Sequence, residues 1–152
     1  LRDKELAKEY ENGYFLVFRL ATNDYHRYYF IDDGDVSLVK EIKGKYHTVG
    51  PVAFEKHKVY EENHRVINVL ETKHFGKMID IEVGALLVGK IVNNNVTKFK
   101  RGDEKGYFLF GGSTVVLIVK DGVIKLDDDI LLNSSNGLET KVKLFEKIGV
   151  KL

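Results

Sequence analysis

The sequence predicts a mostly-β protein of the α+β class, with antiparallel strands forming a sandwich or a partly closed barrel. Short segments rich in β-branched and aromatic residues recur along the chain, and turn pairs such as Asp33-Gly34 and Asp121-Gly122 separate them. Strands at such spacing are typical of antiparallel sheets. The 152 residues suit a single domain, 1–152, that buries a real core.

The predicted elements follow from local patterns in chain order. Leu1–Glu11 spaces apolar residues among charged ones, which is typical of a short amphipathic N-terminal helix that ends at Gly13. A second short helix or helical turn is predicted over Phe54–His64, after a bend marked by Pro51. The predicted strands are Tyr14–Leu20, Arg65–Thr72, Lys77–Val92, Gly106–Phe110, Thr114–Val119 and Gly122–Leu126.

Composition excludes several classes of protein. The chain has no cysteine, which excludes disulfides and thiolate chemistry, and its net charge of +1 gives no reason to expect a nucleic-acid partner. No apolar run approaches the roughly 20 residues that span a bilayer, no predicted helix has the faces of an interfacial anchor, and no signal peptide is predicted within these residues. Because the chain begins at Leu1 rather than Met, we expect further residues upstream.

The five histidines do not form a recognisable metal motif. None has the close pair spacing of a zinc-binding helix and no cysteine assists, so no metal site is predicted. His57 and His64 lie in a charged segment and are predicted to be exposed. His74 is predicted to be a turn residue, and His47 a packed or edge residue in a strand.

His26 stands in the stretch ATNDYHRYYFIDDGD, crowded by Asp24, Arg27 and three tyrosines. The segment follows the predicted strand Tyr14–Leu20, and functional loops tend to sit at such sheet ends. A histidine flanked by Asp and Arg can be tuned as a general acid or base. Taken alone, the segment still favours an aromatic-rich loop that caps the core.

The stretch FGGST interrupts an apolar run with two glycines, which are costly inside a strand. No Lys follows Ser113 or Thr114 as a P-loop requires, and Val115 stands where G-x-S-x-G needs its last glycine. Two interpretations stay open. The glycines form a turn or bulge between strands, or they let the hydroxyl of Ser113 reach the carbonyl of Gly112.

Taken together, these stretches resemble the phosphatidylserine decarboxylase family, in order and over nearly the whole chain. FRLATNDYHRYY resembles the family's Arg-Leu and Asp-Tyr-His-Arg segment, and YHTVGPVA its bend at proline. ENHRV, VLETKHFGK and IEVGALLVGKI resemble its Asn-x-Arg-Val, Thr-x-x-Phe-Gly and Val-Gly-Ala pieces. RGDEKGYFLFGGSTVVLIV resembles its cleavage motif, which ends in Gly-Ser-Thr.

The resemblance implies a lyase that makes its own pyruvoyl cofactor from Ser113 and uses no metal. Ser113 Oγ would attack the carbonyl of Gly112, and elimination and hydrolysis would leave the pyruvoyl group at position 113. The chain would split into a β-chain portion, 1–112, and an α chain, 113–152. The pyruvoyl group would then form a Schiff base with phosphatidylserine and support its conversion to phosphatidylethanolamine and CO2.

By the same resemblance, His26 corresponds to the family's base for self-cleavage. His26, or a tyrosine beside it, would also deliver the proton to the α-carbon of the substrate. Many members have a second histidine where this chain has Tyr29, which leaves His26 as the single candidate in its segment. The family's triad aspartate lies in an upstream stretch that has no equivalent here, and none of Asp24, Asp32, Asp33 and Asp35 matches its motif.

We therefore expect this sequence to be the C-terminal portion of a longer enzyme, with little activity as 152 residues alone. The implied partners are phosphatidylserine in a membrane surface and the protein's own upstream segment, with the enzyme peripheral on the cytoplasmic face. A homo-oligomer stays open. Two alternative functions also stay open: a pyruvoyl decarboxylase for another serine-headed lipid or amino-acid derivative, and an inactive non-catalytic β-domain.

Overall fold

The computed structural model describes residues 1, 3–49, 53, 56–86, 90–109 and 113–152. Within these ranges the chain is mostly β, with three short helices and three antiparallel sheets, which confirms the predicted fold class. The helices are α1 (Lys4–Lys8), α2 (Val59–Glu62) and α3 (Asp128–Ser135). The strands are β1 (Tyr14–Leu20), β2 (Arg27–Tyr29), β3 (Gly34–Ile42), β4 (Arg65–Thr72), β5 (Gly76–Val83), β6 (Lys90–Asn93), β7 (Lys98–Phe99), β8 (Glu104–Leu109), β9 (Ser113–Val119), β10 (Ile124–Leu126) and β11 (Gly149–Lys151).

The largest sheet has six strands in the order β1-β9-β5-β4-β3-β7. Its centre is rich in β-branched residues because β4, β5 and β9 are buried on both faces. A three-stranded sheet, β2-β8-β6, and the antiparallel pair β10-β11 complete the described strands. None of the described pairings closes a barrel.

Each face of the large sheet carries its own core. One face presents Ile79, Ile81, Val116 and Ile118, against which Leu6 of α1 packs. On the other face, side chains of the three-stranded sheet join side chains of β1 and β9 in a second cluster. Burying an aliphatic or aromatic side chain of this size contributes about 1.5–3 kcal/mol. The two sheets are therefore held together by apolar packing at the end of β1 and the beginning of β9.

The observed elements differ from the predicted ones at several boundaries. The N-terminal helix is shorter than predicted, because Asp3 caps it by accepting a hydrogen bond from the backbone N of Leu6 at 3.0 Å and the chain turns by residue 10. The predicted strand over residues 77–92 is two strands, β5 and β6. The bend at Pro51 lies outside the described residues. None of the described helices is both long and apolar enough to cross a bilayer.

Candidate active site

Ser113 is the first residue of β9 and is completely buried. Its backbone pairs with Leu20 at the end of β1. Among the described residues, no group forms a hydrogen bond with the Ser113 hydroxyl. A buried polar group without a partner costs about 1–3 kcal/mol, so such groups often have a catalytic role. Gly111 and Gly112, which were predicted to flank the reacting bond, lie outside the described residues.

The register of β9 determines where the Ser113 side chain points. Val115 lies opposite Glu82 of β5 and belongs to the cluster between the two sheets. Side chains two residues apart in a strand share a face, so Ser113 also points toward the three-stranded sheet. Thr114 points to the other face, and its hydroxyl is likewise buried without a partner among the described residues.

His26 lies between β1 and β2, and its ring is oriented by the backbone. Its Nδ1 is 2.7 Å from the carbonyl oxygen of Asp24. A carbonyl can only accept a hydrogen bond, so Nδ1 carries the proton and Nε2 of the neutral ring keeps its lone pair. Nε2 is buried, and no described group forms a hydrogen bond with it. The imidazole is thus held in the tautomer that a general base at Nε2 requires.

The charged neighbours of His26 have other partners, contrary to the prediction that they tune its ring. The carboxylate of Asp24 accepts a hydrogen bond from the backbone N of Ala21 at 2.8 Å. Arg27 donates to Glu104 at 2.6 Å and lies over the ring of Tyr107. Asp24 therefore orients His26 through its main-chain carbonyl, a contact that its side-chain charge could not have predicted.

Ser113 and His26 lie in the same region of the fold. The carbonyl of His26 accepts a hydrogen bond from the backbone N of Phe108 at 2.9 Å. The ring of Phe108 packs in the inter-sheet cluster, which also contains Leu20 and Val115. Leu20 pairs with Ser113, so the packing joins the two segments. The structure does not connect Ser113 Oγ and His26 Nε2 by a hydrogen bond.

The aspartates that follow β2 have structural partners. Asp32 accepts hydrogen bonds from the backbone N and from Nδ1 of His74, at 2.6 and 2.7 Å. Although burial opposes ionisation, these bonds lower the pKa of the Asp32 carboxyl. Asp33 accepts from the backbone N of Arg101, and Asp35 lies 4.0 Å from Lys98. The carboxylates of Asp32 and Asp33 thus have hydrogen-bond partners of their own, and that of Asp35 lies near a lysine.

The tyrosines beside His26 differ in environment. Tyr28 is buried and donates to Asn93 Oδ1 at 2.6 Å, and desolvation raises the pKa of its phenol. The hydroxyl of Tyr29 lies 3.1 Å from that of Tyr25, and this hydrogen bond raises the pKa of Tyr29. Tyr25 is exposed. The phenols of Tyr28 and Tyr29 therefore stay protonated near neutral pH.

A buried charged cluster lies on the Ser113 face of β5, and the sequence analysis missed it. Lys105 of β8 pairs with Glu82 and, at 3.1 Å, with Asp80. Asn68 and Asn93 donate to Glu82 at 2.9 and 3.0 Å. Desolvation lowers the pKa of Lys105, while the nearby carboxylate of Asp80 opposes this. The sequence IDIEV could have predicted this cluster, because two acids interrupt an otherwise apolar strand.

The remaining histidines are partly as predicted. His57 is exposed and His74 lies in the turn between β4 and β5, as expected. The prediction for His64 was wrong, because packing against Tyr46 leaves its side chain only 14% exposed.

One group of side chains has the composition of a metal site, although the spacing of the histidines in the sequence predicted none. The donor atoms of His47, His57 and Glu62 lie within 4.8 Å of one another, because the fold brings the loop after β3 against α2. However, Lys45 also lies 3.1 Å from Glu62, and its hydrogen bond, together with that from His47, lowers the pKa of Glu62. The carboxylate therefore already has a cationic partner.

Comparison with known proteins identifies the family of this chain. A family model described as phosphatidylserine decarboxylase matches residues 1–150. A phosphatidylserine decarboxylase proenzyme 2 of Clostridium acetobutylicum is 59% identical over 149 residues, covering 98% of this chain and 51% of that protein. Proenzymes of Clostridium botulinum and Fusobacterium nucleatum are 46% and 43% identical over 154 and 150 residues, covering 99% and 97% of this chain and 52% and 50% of theirs. The chain spans about half the length of these relatives, and it belongs to the phosphatidylserine decarboxylase family.

Proposed function

We propose that this chain carries the self-cleaving part of an enzyme that decarboxylates phosphatidylserine to phosphatidylethanolamine. The observation that carries the proposal is the hydroxyl of Ser113, which is buried at the start of β9 without a partner among the described residues. Family membership and the names of the relatives, phosphatidylserine decarboxylase proenzymes, support the substrate and the processing step. A hydroxyl held without a partner suits a group that reacts.

In the proposed cleavage, Ser113 Oγ attacks the carbonyl carbon of Gly112 while His26 Nε2 takes the hydroxyl proton. A serine hydroxyl is a weak nucleophile until a base removes this proton. The peptide nitrogen leaves the carbonyl, which converts the amide to an ester. Removal of the α-proton of residue 113 then expels the carboxylate of Gly112. The resulting dehydroalanine consumes water and releases ammonia, which leaves the pyruvoyl group.

The residues around Ser113 fit the pyruvoyl group. It would replace a small buried side chain that makes no hydrogen bond to a described residue, so its formation breaks no such contact. When present, the pyruvoyl group supplies an electron sink for the decarboxylation. The inter-sheet cluster, which contains Val115 and Leu20, would provide an apolar boundary beside it. His26, or a tyrosine beside it, holds the proton that the product needs at its α-carbon.

We further propose that residues 1–152 act as one domain, with residues 1–112 and 113–152 as its two chains after cleavage. The acid that completes the triad comes from an upstream segment of the same protein, because the described aspartates near His26 have other partners. The enzyme works without a metal at the cytoplasmic face of a membrane, as a peripheral protein.

Intact-mass analysis of the full-length protein tests the cleavage. We expect two fragments divided between Gly112 and Ser113, with a blocked N-terminus on the smaller one. Ser113→Ala should abolish splitting, because no hydroxyl remains to attack. Ser37→Ala is the matched control, since Ser37 of β3 donates from its Oγ to the carbonyl of Val69 in β4, and it should split normally.

A single uncleaved chain under all conditions would contradict the proposal and favour a non-catalytic domain. The substrate is tested separately by supplying phosphatidylserine vesicles or soluble phosphoserine to the cleaved protein. Formation of phosphatidylethanolamine supports the lipid assignment. Release of phosphoethanolamine alone would assign the enzyme to another serine-headed substrate.

A further inference from the structure

An exposed apolar turn lies near the end of the chain. Two hydrogen bonds close it: the backbone N of Glu146 donates to the carbonyl of Lys143 at 3.0 Å, and the backbone N of Lys143 donates to Glu146 Oε2 at 2.6 Å. Leu144 and Phe145 form its tip. They are 52% and 72% exposed, although both side chains are large and apolar. We call Lys143–Glu146 the apolar turn.

The backbone conformation of Phe145 is unfavourable as well. Its φ is 65°, in the left-handed region that bulky residues rarely adopt. Local strain of this kind persists where the structure around it imposes it, and it is concentrated at functional positions. Here the strained residue also exposes an aromatic ring to water. Burial of the ring in an external apolar surface would remove the cost of exposing it to water.

The apolar turn borders the segment that carries His26. The ring of Phe145 lies 5.1 Å from that of Tyr29, centroid to centroid. The hydroxyl of Tyr29 lies 3.1 Å from that of Tyr25, which is itself 55% exposed. Tyrosines with an apolar body and a polar tip are enriched where proteins meet the membrane–water boundary. The exposed aromatic side chains of Phe145 and Tyr25 therefore lie beside the segment that carries His26.

The charges around the turn favour an anionic partner. Lys141 and Lys143 are exposed, and neither forms an ion pair with a residue in the described ranges. Glu139 pairs with Arg19 and Lys147 with Asp127, so Glu146, which accepts a hydrogen bond from the backbone of Lys143, is the acid in residues 139–147 that offsets the two lysines, and the segment keeps a net positive charge. Exposed lysines beside an apolar tip match the combination that binds anionic bilayers.

We propose that the apolar turn inserts into the surface of an anionic phospholipid bilayer, with Tyr25 and the two lysines at the headgroup level. The apolar turn and Tyr25 would then hold the segment that carries His26 against the lipid headgroups, so the substrate would reach Ser113 without leaving the membrane. The contact between the turn and the bilayer stands on the exposed tip and its charges; the delivery of substrate rests on the proposed function.

These 152 residues contain no tryptophan, so an introduced indole reports on its own position. We would make Phe145→Trp in the full-length protein and record the difference spectrum from the parent. Vesicles of phosphatidylcholine with phosphatidylserine should shift its emission to the blue, and brominated acyl chains should quench it. Val39→Trp is the matched control, because Val39 is 59% exposed on β3, and its emission should not change.

The double variant Leu144→Ser, Phe145→Ser should bind anionic vesicles about tenfold more weakly or worse, with self-cleavage unchanged. An emission already blue in buffer would overturn the proposal, because it means that protein covers the turn. An equal shift with pure phosphatidylcholine would overturn the anionic assignment. Cleavage is followed by mass in the same samples. Unchanged vesicle affinity in the double variant would overturn the docking surface. In the unsubstituted protein, failure to bind anionic vesicles despite normal splitting rejects only the docking surface, whereas vesicle binding without splitting rejects only the proposed function.

Discussion

His26 illustrates how one backbone contact can prepare a side chain for chemistry. Its Nδ1 donates to the carbonyl of Asp24, and this leaves Nε2 as the nitrogen that can accept a proton. The role of His26 as a base stays a prediction from the resemblance to the family. The flanking charges that could have tuned its ring have other partners, because the side chains of Asp24 and Arg27 bond to Ala21 and Glu104.

We expect His26→Ala to slow the splitting of the full-length protein by about 10²–10⁴-fold, the usual contribution of a general base. The rate is measured by the appearance of the smaller fragment in intact-mass spectra over time. His74→Ala is the control, since His74 bonds to Asp32 in a turn and has no place in the proposed chemistry. Normal splitting in His26→Ala would remove His26 as the base.

At the scale of the elements, the buried cluster of Lys105, Glu82 and Asp80 joins β8 of the smaller sheet to β5 of the larger one. The cluster lies on the face of β5 that Ser113 shares, so it also sets how the two sheets meet beside the site. Burying charges is costly, and removing one partner leaves the others uncompensated.

Lys105→Met should therefore lower the free energy of unfolding by about 3–5 kcal/mol. Adding Glu82→Gln and Asp80→Asn to the same protein should recover most of this loss, because no uncompensated charge then stays buried. Urea denaturation of the Ser113→Ala protein measures both effects without interference from cleavage. A single variant as stable as its parent would show that Lys105 does not neutralise these acids.

Strand prediction succeeded where side-chain burial dominates and failed where it does not. β4, β5 and β9 are largely buried, and their sequences are rich in β-branched and other aliphatic residues. β3 went unpredicted because most of its residues are exposed and its apolar residues are mixed with Asp35, Ser37, Lys40 and Glu41. It is a strand because β4 pairs along its whole length. α3 was missed for a similar reason, since none of its residues is buried.

At the scale of the whole molecule, the proposed cut falls at the start of a strand that has a neighbour on each side. β9 pairs with β1 over seven residues and with β5 over five. Cutting before Ser113 leaves the pairings of residues 114–119 with β1 and of residues 114–118 with β5 in place. The new N-terminus at position 113, which would carry the pyruvoyl group, would therefore stay in place at the start of β9.

The two fragments should therefore co-elute in size-exclusion chromatography under native conditions and separate only in denaturant. The uncleaved Ser113→Ala protein is the reference for the native elution volume. Separation of the fragments in native buffer would show that β9 does not hold the two chains together.

The sequence by itself determined the mostly-β class and the family, and its resemblance to the family predicted the roles of Ser113 and His26. These depend on local patterns and on motifs that can be read in order along the chain. The tertiary structure decided which groups surround those residues. Lys105 meets Glu82, His74 meets Asp32, and Phe145 meets Tyr29 because strand register and packing bring together residues that are 23 to 116 positions apart. Contacts over such separations depend on the fold, and no local pattern encodes them.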